Sequence, residues 1–278
     1  MSTLQSSGSD RDPLSMFRLD GRVAFLSGAG GLLGRPMAKA LAFAGAHVVL
    51  NGRRREPLET VAEELKNAGL TVSVACFDVT DEAELRRNVG LIGERLGRLD
   101  VLVNNASSGS PGTMESATAR DFDQVYRVNV IAAFQLIQTA TALLKEAGSR
   151  NPGGASVINV ASMYGSVSPD PAIYATSGAN SPPYYGPAKA ALIQLTRYAA
   201  IHLAGQRIRV NCISPGPFPS TKYLEKDPEF HGRLQGKNPM HRTGQPGELQ
   251  GPLLFLASDA SSYVTGINLA VDGGWTAW

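Results

Sequence analysis

The sequence lacks the features that mark several large classes of protein. It has two cysteines in 278 residues, Cys76 and Cys212, so we expect no disulfide framework and a cytoplasmic location. It has no uninterrupted apolar run of about 18 residues that would span a membrane, and its polar start lacks the apolar segment of a secretory signal. Lys and Arg total 26 against 24 Asp and Glu, giving a net charge of +2. We therefore expect neither a nucleic-acid partner nor a membrane partner.

Histidine is also scarce, with four in the chain. They are His47, His202, His231 and His241. Their spacing does not match a metal-ligand motif, and no serine stands in the G-x-S-x-G turn of a hydrolase. We therefore expect no metal site and no serine–histidine nucleophile.

Short apolar runs alternate with longer amphipathic segments from about residue 22 to the end. Continuous Val, Ile and Leu runs favour strands buried on both faces, and hence parallel strands joined by helices. The pattern predicts a doubly wound α/β fold with a seven-stranded parallel sheet. We expect residues 1–16 to form a flexible tail and residues 17–278 to form a single domain. The predicted strands are Val23–Leu26, His47–Leu50, Val72–Ala75, Val101–Val103, Ser156–Val160, Ile208–Asn211 and Ile267–Val271.

Two stretches interrupt this alternation, at about 166–183 and 215–247. Both are rich in Pro or Gly, and both follow predicted strands. Ligands of open α/β sheets bind outside the carboxyl ends of the strands, so we interpret these stretches as substrate-site loops. The alternative is that they are irregular surface insertions.

A glycine-rich run, Ser27 to Gly34, follows the first strand and opens the first predicted helix. Glycines at such a turn let the backbone approach a pyrophosphate, whose charge is met by free N–H groups at the helix N-terminus. The spacing differs from G-x-G-x-x-G because Leu33 takes the place of the third glycine, which stands at Gly34 instead. A simple turn is the alternative interpretation.

The end of the second strand indicates which dinucleotide binds. An NAD site usually has an acidic residue there for the ribose hydroxyls, whereas the segment 51–55 reads Asn-Gly-Arg-Arg-Arg. A guanidinium can bind a 2′-phosphate through two charge-assisted hydrogen bonds. We therefore predict NADP(H), with NAD(H) as the alternative, and assign the phosphate to Arg53 first and Arg54 second. The alternative is that these arginines form a basic, solvent-exposed start of a helix, which would have the same sequence.

A tyrosine and a lysine lie four residues apart on one predicted helix, at Tyr185 and Lys189. A nearby ammonium favours the phenolate, which would tune the phenol for proton exchange with an alcohol or carbonyl oxygen. Ser162 follows a strand at the same sheet edge, where its hydroxyl could hold the substrate oxygen. The alternatives are that Tyr185 and Lys189 are a side-chain pair on the surface of a helix, and that Ser162 is a polar turn or capping residue.

The ordered set of these residues resembles the short-chain dehydrogenase/reductase family over residues 18–275. It also includes Asn104-Asn105-Ala106, Pro215-Gly216 and Val271-Asp272-Gly273-Gly274. The resemblance implies hydride transfer to or from a nicotinamide and a homotetramer formed through the helices near 120–146 and 185–203. It implies that Ser162 polarises the substrate carbonyl and that Tyr185 is the acid–base residue. It also implies that Lys189 binds the nicotinamide ribose and that Asn129 holds a water in the proton relay. The residues expected to bind the cofactor are Gly28, Gly30, Gly31, Leu33, Gly34, Arg53, Arg54, Asp78, Val79, Asn105, Ala106, Tyr185, Lys189, Pro215 and Gly216.

The interval from Ser162 to Tyr185 is longer than in most relatives. Tyr174 stands where the catalytic tyrosine is more usual, but position 178 is Gly and not Lys. We therefore reject Tyr174 as the acid–base residue and interpret 169–183 as an insertion that shapes the substrate pocket.

The substrate is less clearly indicated than the chemistry. Phrases such as Ala161-Ser162-Met163-Tyr164-Gly165 are similar to those of gluconate 5-dehydrogenases, which implies a polyol or sugar acid such as gluconate and 5-ketogluconate. The cations that could receive a carboxylate are Lys222, Lys237, His241 and Arg242. The alternatives are a 3-oxoacyl-thioester reductase and a non-catalytic dinucleotide-binding regulator.

Overall fold

The computed structural model describes residues 12–109, 112–175, 180–221, 225 and 228–278. All seven predicted strands are present in one parallel sheet, several of them a residue or more longer than expected. The apolar runs form strands because both faces of the sheet are covered by helices. The strands are β1 (Val23–Leu26), β2 (His47–Gly52), β3 (Val72–Cys76), β4 (Val101–Asn104), β5 (Ala155–Val160), β6 (Ile208–Pro215) and β7 (Asn268–Val271).

Helices connect the strands and cover the sheet. Those joining β1 to β5 are α1 (Gly34–Phe43), α2 (Arg55–Asn67), α3 (Glu82–Leu96), α4 (Ala119–Tyr126) and α5 (Ala132–Arg150). Those after β5 are α6 (Pro171–Tyr174), α7 (Tyr185–Leu203), α8 (Pro228–Lys237) and α9 (Gln250–Ala257). Short 3₁₀ turns include Pro13–Phe17 and Met163–Gly165, and a π-helical segment, Arg127–Ile131, joins α4 to α5.

The strand order is β3-β2-β1-β4-β5-β6-β7, and every neighbouring pair is parallel. The chain runs outward from β1 to β3 and then returns to place β4 on the other side of β1. This reversal leaves a crevice at the carboxyl ends of β1 and β4, where doubly wound sheets bind their ligands. The fold therefore places the glycine-rich run, which leaves β1, directly at that crevice.

Two apolar cores cover the two faces of the sheet. Met37 and Leu41 of α1 and Leu253 of α9 belong to one core. Leu136 and Leu144 of α5 belong to the other, together with residues of α3 and α7. This arrangement holds the strand ends rigid, because each strand is packed from both sides.

One long helix is predicted over about 120–146, whereas the structure has a helical run from Ala119 to Arg150 that the π-helical segment divides. Its apolar composition and its 32 residues would suffice for a membrane span by length and hydropathy alone, and 39% of its most apolar window is buried. The buried side packs on the sheet, while Ile131 and Phe134 are 44% and 45% exposed. The apolar character of this run therefore comes from a core face and a second, exposed face.

The start and the two predicted loops contain more regular structure than expected. Residues 1–11 of the predicted tail lie outside the described residues, and Asp12 caps the 3₁₀ turn Pro13–Phe17, which buries none of its residues. The stretch 166–183 contains α6, and the stretch 215–247 contains α8. Both stretches are therefore partly helical, although both still follow strand ends.

Candidate active site

The loop after β1 forms a narrow backbone turn that needs glycine. Gly28 has a φ of 65°, in the left-handed region that glycine adopts without strain. A side chain there would place its Cβ 2.9 Å from Asn105 Nδ2 and 3.1 Å from Ala106 Cα. A Cβ at Gly34 would collide with the Gly28 carbonyl oxygen. The loop therefore has no room for a side chain at either position, because its backbone packs directly on the loop after β4 and on itself.

Ser27 and Asn105 fasten this loop to the end of β4. Asn105 Nδ2 donates to the carbonyl oxygens of Ser27, at 2.9 Å, and of Gly28, at 3.1 Å. The Ser27 hydroxyl accepts from the backbone N–H groups of Asn105 and Ala106, both at 3.0 Å. Ser27 is missing from the predicted site. Its signal was its position as the first polar residue after a buried strand.

The crevice is an open cleft of about 340 Å³. The predicted cofactor residues that line it are Gly28, Gly30, Gly31, Leu33, Gly34, Arg53, Arg54, Asp78, Val79, Asn105 and Ala106. The prediction missed further lining residues, which are Leu32, Asn51, Gly52, Pro57, Leu58, Phe77, Ser107 and Val128. The cleft therefore runs from the glycine loop to the basic segment after β2.

Arg53 stands at the basic end of the cleft. One of its guanidinium nitrogens is 3.9 Å from the Asp78 carboxylate, and its side chain is 67% exposed. Such an exposed, long ion pair contributes little free energy, so the guanidinium can exchange this partner for an anion at small cost. Asp78 also accepts hydrogen bonds from the backbone N–H and the hydroxyl of Thr80. Arg54 is the N-cap residue of α2 and lines the same end.

The structure brings Ser162, Tyr185 and Lys189 together next to the loop after β4, where a Cβ at Gly109 would lie 4.0 Å from Tyr185 Cδ2, but none of the three lines this cleft. Ser162 follows β5, is 6% exposed, and lowers the pKa of the Tyr185 phenol. Tyr185 is the first residue of α7. Lys189, one helical turn further on, is 2% exposed and donates from Nζ to the Val160 carbonyl oxygen at 2.9 Å. Its Nζ lies 5.6 Å from the centroid of the Tyr185 ring.

The pKa of Tyr185 is raised, and not lowered as expected. Burial is the largest cause, the hydrogen bond with Ser162 lowers the pKa, and the nearby Tyr174 raises it. Lys189 is not among the groups that shift the pKa of Tyr185, and burial lowers the pKa of Lys189 itself to about 8. Tyr185 is therefore a protonated phenol at neutral pH.

Asn129 lies in the π-helical segment between α4 and α5 and is buried. Its Nδ2 donates to the carbonyl oxygens of Val125, at 2.9 Å, and Ser108, at 3.2 Å, and its Oδ1 accepts from the Ser107 hydroxyl at 2.8 Å. Single π-helical turns often occur at functional sites. Here Asn129 connects the π-helical turn to the loop after β4 through its hydrogen bonds with Ser107 and Ser108, and Ser107 lines the cleft.

Pro215 and Gly216 lie at the end of β6, away from the cleft lining. Pro215 pairs with Val271 in the sheet, and the Gly216 N–H donates to the Val271 carbonyl oxygen at 3.0 Å. A Cβ at Gly216 would be 2.6 Å from Asp272 Cα. The glycine is therefore required by its contact with the segment after β7.

Two of the predicted carboxylate-binding cations already have acidic partners. Arg242 donates two hydrogen bonds to Glu248, at 2.6 and 2.7 Å, and lowers the pKa of that carboxyl to about 2. Lys237 lies 2.9 Å from Asp170. His241 is exposed on the surface, and Lys222 lies outside the described residues.

The family model described as enoyl-(acyl carrier protein) reductase matches residues 28–276. The 3-oxoacyl-[acyl-carrier-protein] reductase of rhamnolipid biosynthesis from Pseudomonas aeruginosa is 36% identical over 262 residues, covering 93% of this chain and 98% of that one. The gluconate 5-dehydrogenase of Gluconobacter oxydans is 34% identical over 264 residues, covering 94% and 97%. A crystal structure of a Burkholderia cenocepacia gluconate 5-dehydrogenase with NADP and tartrate superposes with a TM-score of 0.84 at 32% identity, covering 96% of this chain and 100% of that one.

The chain belongs to the short-chain dehydrogenase/reductase family. It is an oxidoreductase of the kind that acts on CH–OH groups. The two named relatives have different substrates at nearly equal identity, so membership establishes the chemistry and leaves the substrate to be argued from the site.

The stretch from Ser162 to Tyr185 distinguishes this member of the short-chain dehydrogenase/reductase family. Tyr174 ends α6, and its hydroxyl lies 3.1 Å from the hydroxyl of Tyr164. Ser162 lowers the pKa of Tyr185, the tyrosine on the same helix as Lys189. That Tyr185 and not Tyr174 is the acid–base residue stays a prediction.

Proposed function

We propose that the protein is an NADP(H)-dependent oxidoreductase that interconverts a secondary alcohol and a ketone. The observation that carries this proposal is the grouping of Ser162, Tyr185 and Lys189, in which Ser162 lowers the pKa of the Tyr185 phenol and the Lys189 Nζ lies 5.6 Å from the centroid of the Tyr185 ring. Residues 17–278 would act as one catalytic domain, because the sheet that supplies the cleft also supplies the proton-transfer groups.

The residues of the cleft fit a phosphorylated dinucleotide. The positive φ of Gly28 leaves a bare backbone turn at the N-terminus of α1, which suits a pyrophosphate. Arg53 is mostly exposed at the far end of the cleft, where a 2′-phosphate would lie, and segment 51–55 has no acidic side chain to repel it. NADP, which the Burkholderia cenocepacia relative binds, is therefore preferred over NAD.

The proposed chemistry divides between the dinucleotide and three side chains. The bound dinucleotide supplies or accepts the hydride at the carbonyl carbon. Ser162 would keep its proton and donate a hydrogen bond from its hydroxyl to the carbonyl oxygen, which stabilises the charge that develops there. Tyr185, protonated at neutral pH because its pKa is raised, would transfer its proton to that oxygen in the reductive direction. In oxidation Tyr185 would have to act as the phenolate, which becomes more available as the pH rises.

Lys189 and Asn129 would position these groups. The Lys189 ammonium is fixed by the Val160 carbonyl and lies against the Tyr185 ring, where it would stabilise a phenolate and bind the ribose hydroxyls. Asn129 holds the loop after β4 through Ser107 and Ser108 and would hold a water that returns protons to Tyr185.

We assign the substrate to the polyols and sugar acids, as in interconversion of gluconate and 5-ketogluconate. Similarity to gluconate 5-dehydrogenases supports this assignment. The alternative is a 3-oxoacyl-thioester reductase, which similarity to the Pseudomonas aeruginosa reductase favours. A non-catalytic dinucleotide-binding regulator would have no need for Ser162, Tyr185 and Lys189 in contact.

The active form would be a homotetramer assembled through α5 and α7. Besides Ile131 and Phe134, Tyr198 and Ile201 on α7 are 64% and 82% exposed. Apolar side chains grouped on neighbouring helices indicate a surface that another protein chain covers.

A substrate panel tests the proposal. NADPH consumption would be followed by its absorbance with 5-ketogluconate, neutral ketoses, simple ketones and an acetoacetyl thioester. Turnover with 5-ketogluconate or a ketose supports the proposal, while turnover with the thioester alone supports the alternative. NADPH binding without any turnover would contradict the assignment as an enzyme of this chemistry.

A further inference from the structure

Two tyrosine hydroxyls meet beside the proton-transfer residues. Tyr164 Oη and Tyr174 Oη are 3.1 Å apart. Tyr164 belongs to the turn after β5, and Tyr174 comes from the insertion. The Tyr174 ring packs on Phe230 of α8 with 5.6 Å between ring centroids. The pair therefore joins the catalytic turn to both substrate-loop segments.

This tyrosine pair is adjacent to the reacting centre. The backbone N–H of Tyr164 donates to the Ser162 hydroxyl at 3.2 Å. A Cβ at Gly186, the residue after Tyr185, would lie 2.9 Å from the Tyr164 carbonyl oxygen. The three phenols also act on one another electrostatically, since Tyr185 raises the pKa of Tyr164 and Tyr174 raises that of Tyr185. A substrate carbonyl held by Ser162 and Tyr185 would thus lie close in space to Tyr164.

The Tyr164 hydroxyl has hydrogen-bonding capacity beyond its contact with Tyr174. A phenol hydroxyl can donate one hydrogen bond and accept two, and the contact with Tyr174 uses one of these. Burial, the largest cause, raises the pKa of Tyr164, so the group stays a neutral hydroxyl at physiological pH. Its chemical match is another neutral hydroxyl, which also donates and accepts.

The surroundings of the pair disfavour a charged substrate. The neighbouring wall is a cluster of buried apolar residues, which are Met163, Ile173, Phe230, Leu234 and Trp275. Three described cations near this wall have acidic partners: Lys237 pairs with Asp170, Arg242 with Glu248, and Arg233 with Glu229, and Arg233 also donates to the Ile173 carbonyl oxygen. A substrate carboxylate placed here would lose hydration free energy unless one of these cations left its partner. An uncharged hydroxyl would lose much less hydration free energy at this place.

We propose that Tyr164 and Tyr174 form a specificity-determining pair that binds a hydroxyl next to the reacting carbonyl of an uncharged hydroxyketone, or the matching hydroxyl of a polyol. This inference rests on the proposed function and narrows its substrate class to the polyols and uncharged hydroxyketones, so that sugar acids such as 5-ketogluconate become the less favoured part of that class. The reaction remains the transfer of a hydride to carbon and a proton to oxygen, and the pair only orients the substrate.

The experiment compares ketones that differ by a single group. The substrates are 3-hydroxy-2-butanone against 2-butanone, which lacks the hydroxyl, and L-sorbose against 5-ketogluconate, which carries a carboxylate at the far end. The variants are Tyr164→Phe, Tyr174→Phe and the double variant, each of which keeps the ring. Tyr263→Phe, at a fully exposed tyrosine, is the matched control.

We expect each single variant to lower kcat/KM for 3-hydroxy-2-butanone about tenfold, mainly through KM, as for loss of one hydrogen bond to substrate. Activity on 2-butanone should stay within about twofold, and the double variant should resemble the single ones because the two hydroxyls act as a unit. The natural protein should prefer L-sorbose to 5-ketogluconate.

Equal losses on both butanones, or no loss on either, would overturn the role of the pair. A preference for 5-ketogluconate would overturn the uncharged class. Failure of the proposed function gives a different result, namely no NADPH consumption by the natural protein with any of the four ketones. Melting temperatures measured alongside identify a variant whose losses come from unfolding.

Discussion

Lys189 directs its ammonium to the carbonyl oxygen of Val160, 2.9 Å away, while lying 5.6 Å from the centre of the Tyr185 ring. The lysine is thus fixed at the end of β5 and only indirectly coupled to the phenol oxygen. Lys189 is buried and Tyr185 is half-buried. Burial moves both pKa values toward the neutral forms, so near neutral pH the phenol holds its proton firmly and the amine holds its proton less firmly than in water.

Replacing Tyr185 by Phe should remove the proton-transfer group and little else. We expect kcat to fall by about 10³-fold, within the range for loss of a general acid. The dissociation constant for NADPH, measured by fluorescence titration, should change less than about twofold. Retention of most of the turnover in this variant would show that another group supplies the proton.

Lys189→Met should alter the pH dependence of stability. The folded pKa of about 8 lies below the ordinary 10.5, so between these values the unfolded chain holds the extra proton and raising the pH favours folding. The natural protein should therefore gain about 2 kcal/mol over the variant in free energy of unfolding between pH 7 and pH 9.5. Urea denaturation at both pH values measures this change. A difference that is independent of pH would mean that the buried amine has an ordinary pKa.

Arg53→Ala should weaken the binding of the 2′-phosphate of NADPH. We expect kcat/KM for NADPH to fall about tenfold or more, as for loss of a charge-assisted hydrogen bond, with NADH little affected. Arg55→Ala is the matched control, because Arg55 is equally exposed and pairs with Glu59 one turn along α2. An unchanged ratio of NADPH to NADH activity in the Arg53 variant would assign the phosphate to another residue.

Ile201→Lys should disrupt assembly through α7. Ile201 is 82% exposed on the single chain, and a charge there would have to be buried if another copy covers this face. Light scattering should show a tetramer for the natural protein and smaller species for the variant. Leu14→Lys, at a residue 73% exposed in the first 3₁₀ turn, should leave the mass unchanged. A natural protein that is monomeric would contradict the proposed assembly.

The sheet and most helices could be predicted because their signals are local. Val23–Leu26 and Tyr185–Leu203 begin and end where expected, since a buried strand and a long helix each impose their own spacing of apolar residues. The glycine run was equally informative, because only a close backbone approach explains so many glycines after a strand. Most of the predicted cofactor residues line one cleft for this reason.

The remaining features depend on tertiary packing. The π-helical segment at 127–131 has no distinct sequence signal, because Arg-Val-Asn-Val-Ile contains no Gly or Pro that would mark a change within a helix. Helix α9, Gln250–Ala257, carries Gly251 and Pro252 in its first turn and is apolar on most sides, so periodicity does not identify it. The pKa of Tyr185 was expected to fall because the spacing to Lys189 is visible in sequence, whereas the burial of both groups is not.

The hydrogen bonds that Ser27 and Asn105 make between the ends of β1 and β4 affect the energetics of coenzyme binding. The phosphate-binding turn is held in shape by its own protein partners, at 2.9 to 3.1 Å. An incoming dinucleotide therefore meets a turn that is already folded, and little of its binding energy is spent on ordering the chain. Asn105→Ala should lose affinity chiefly by loosening that turn, since the contact it breaks is within the protein.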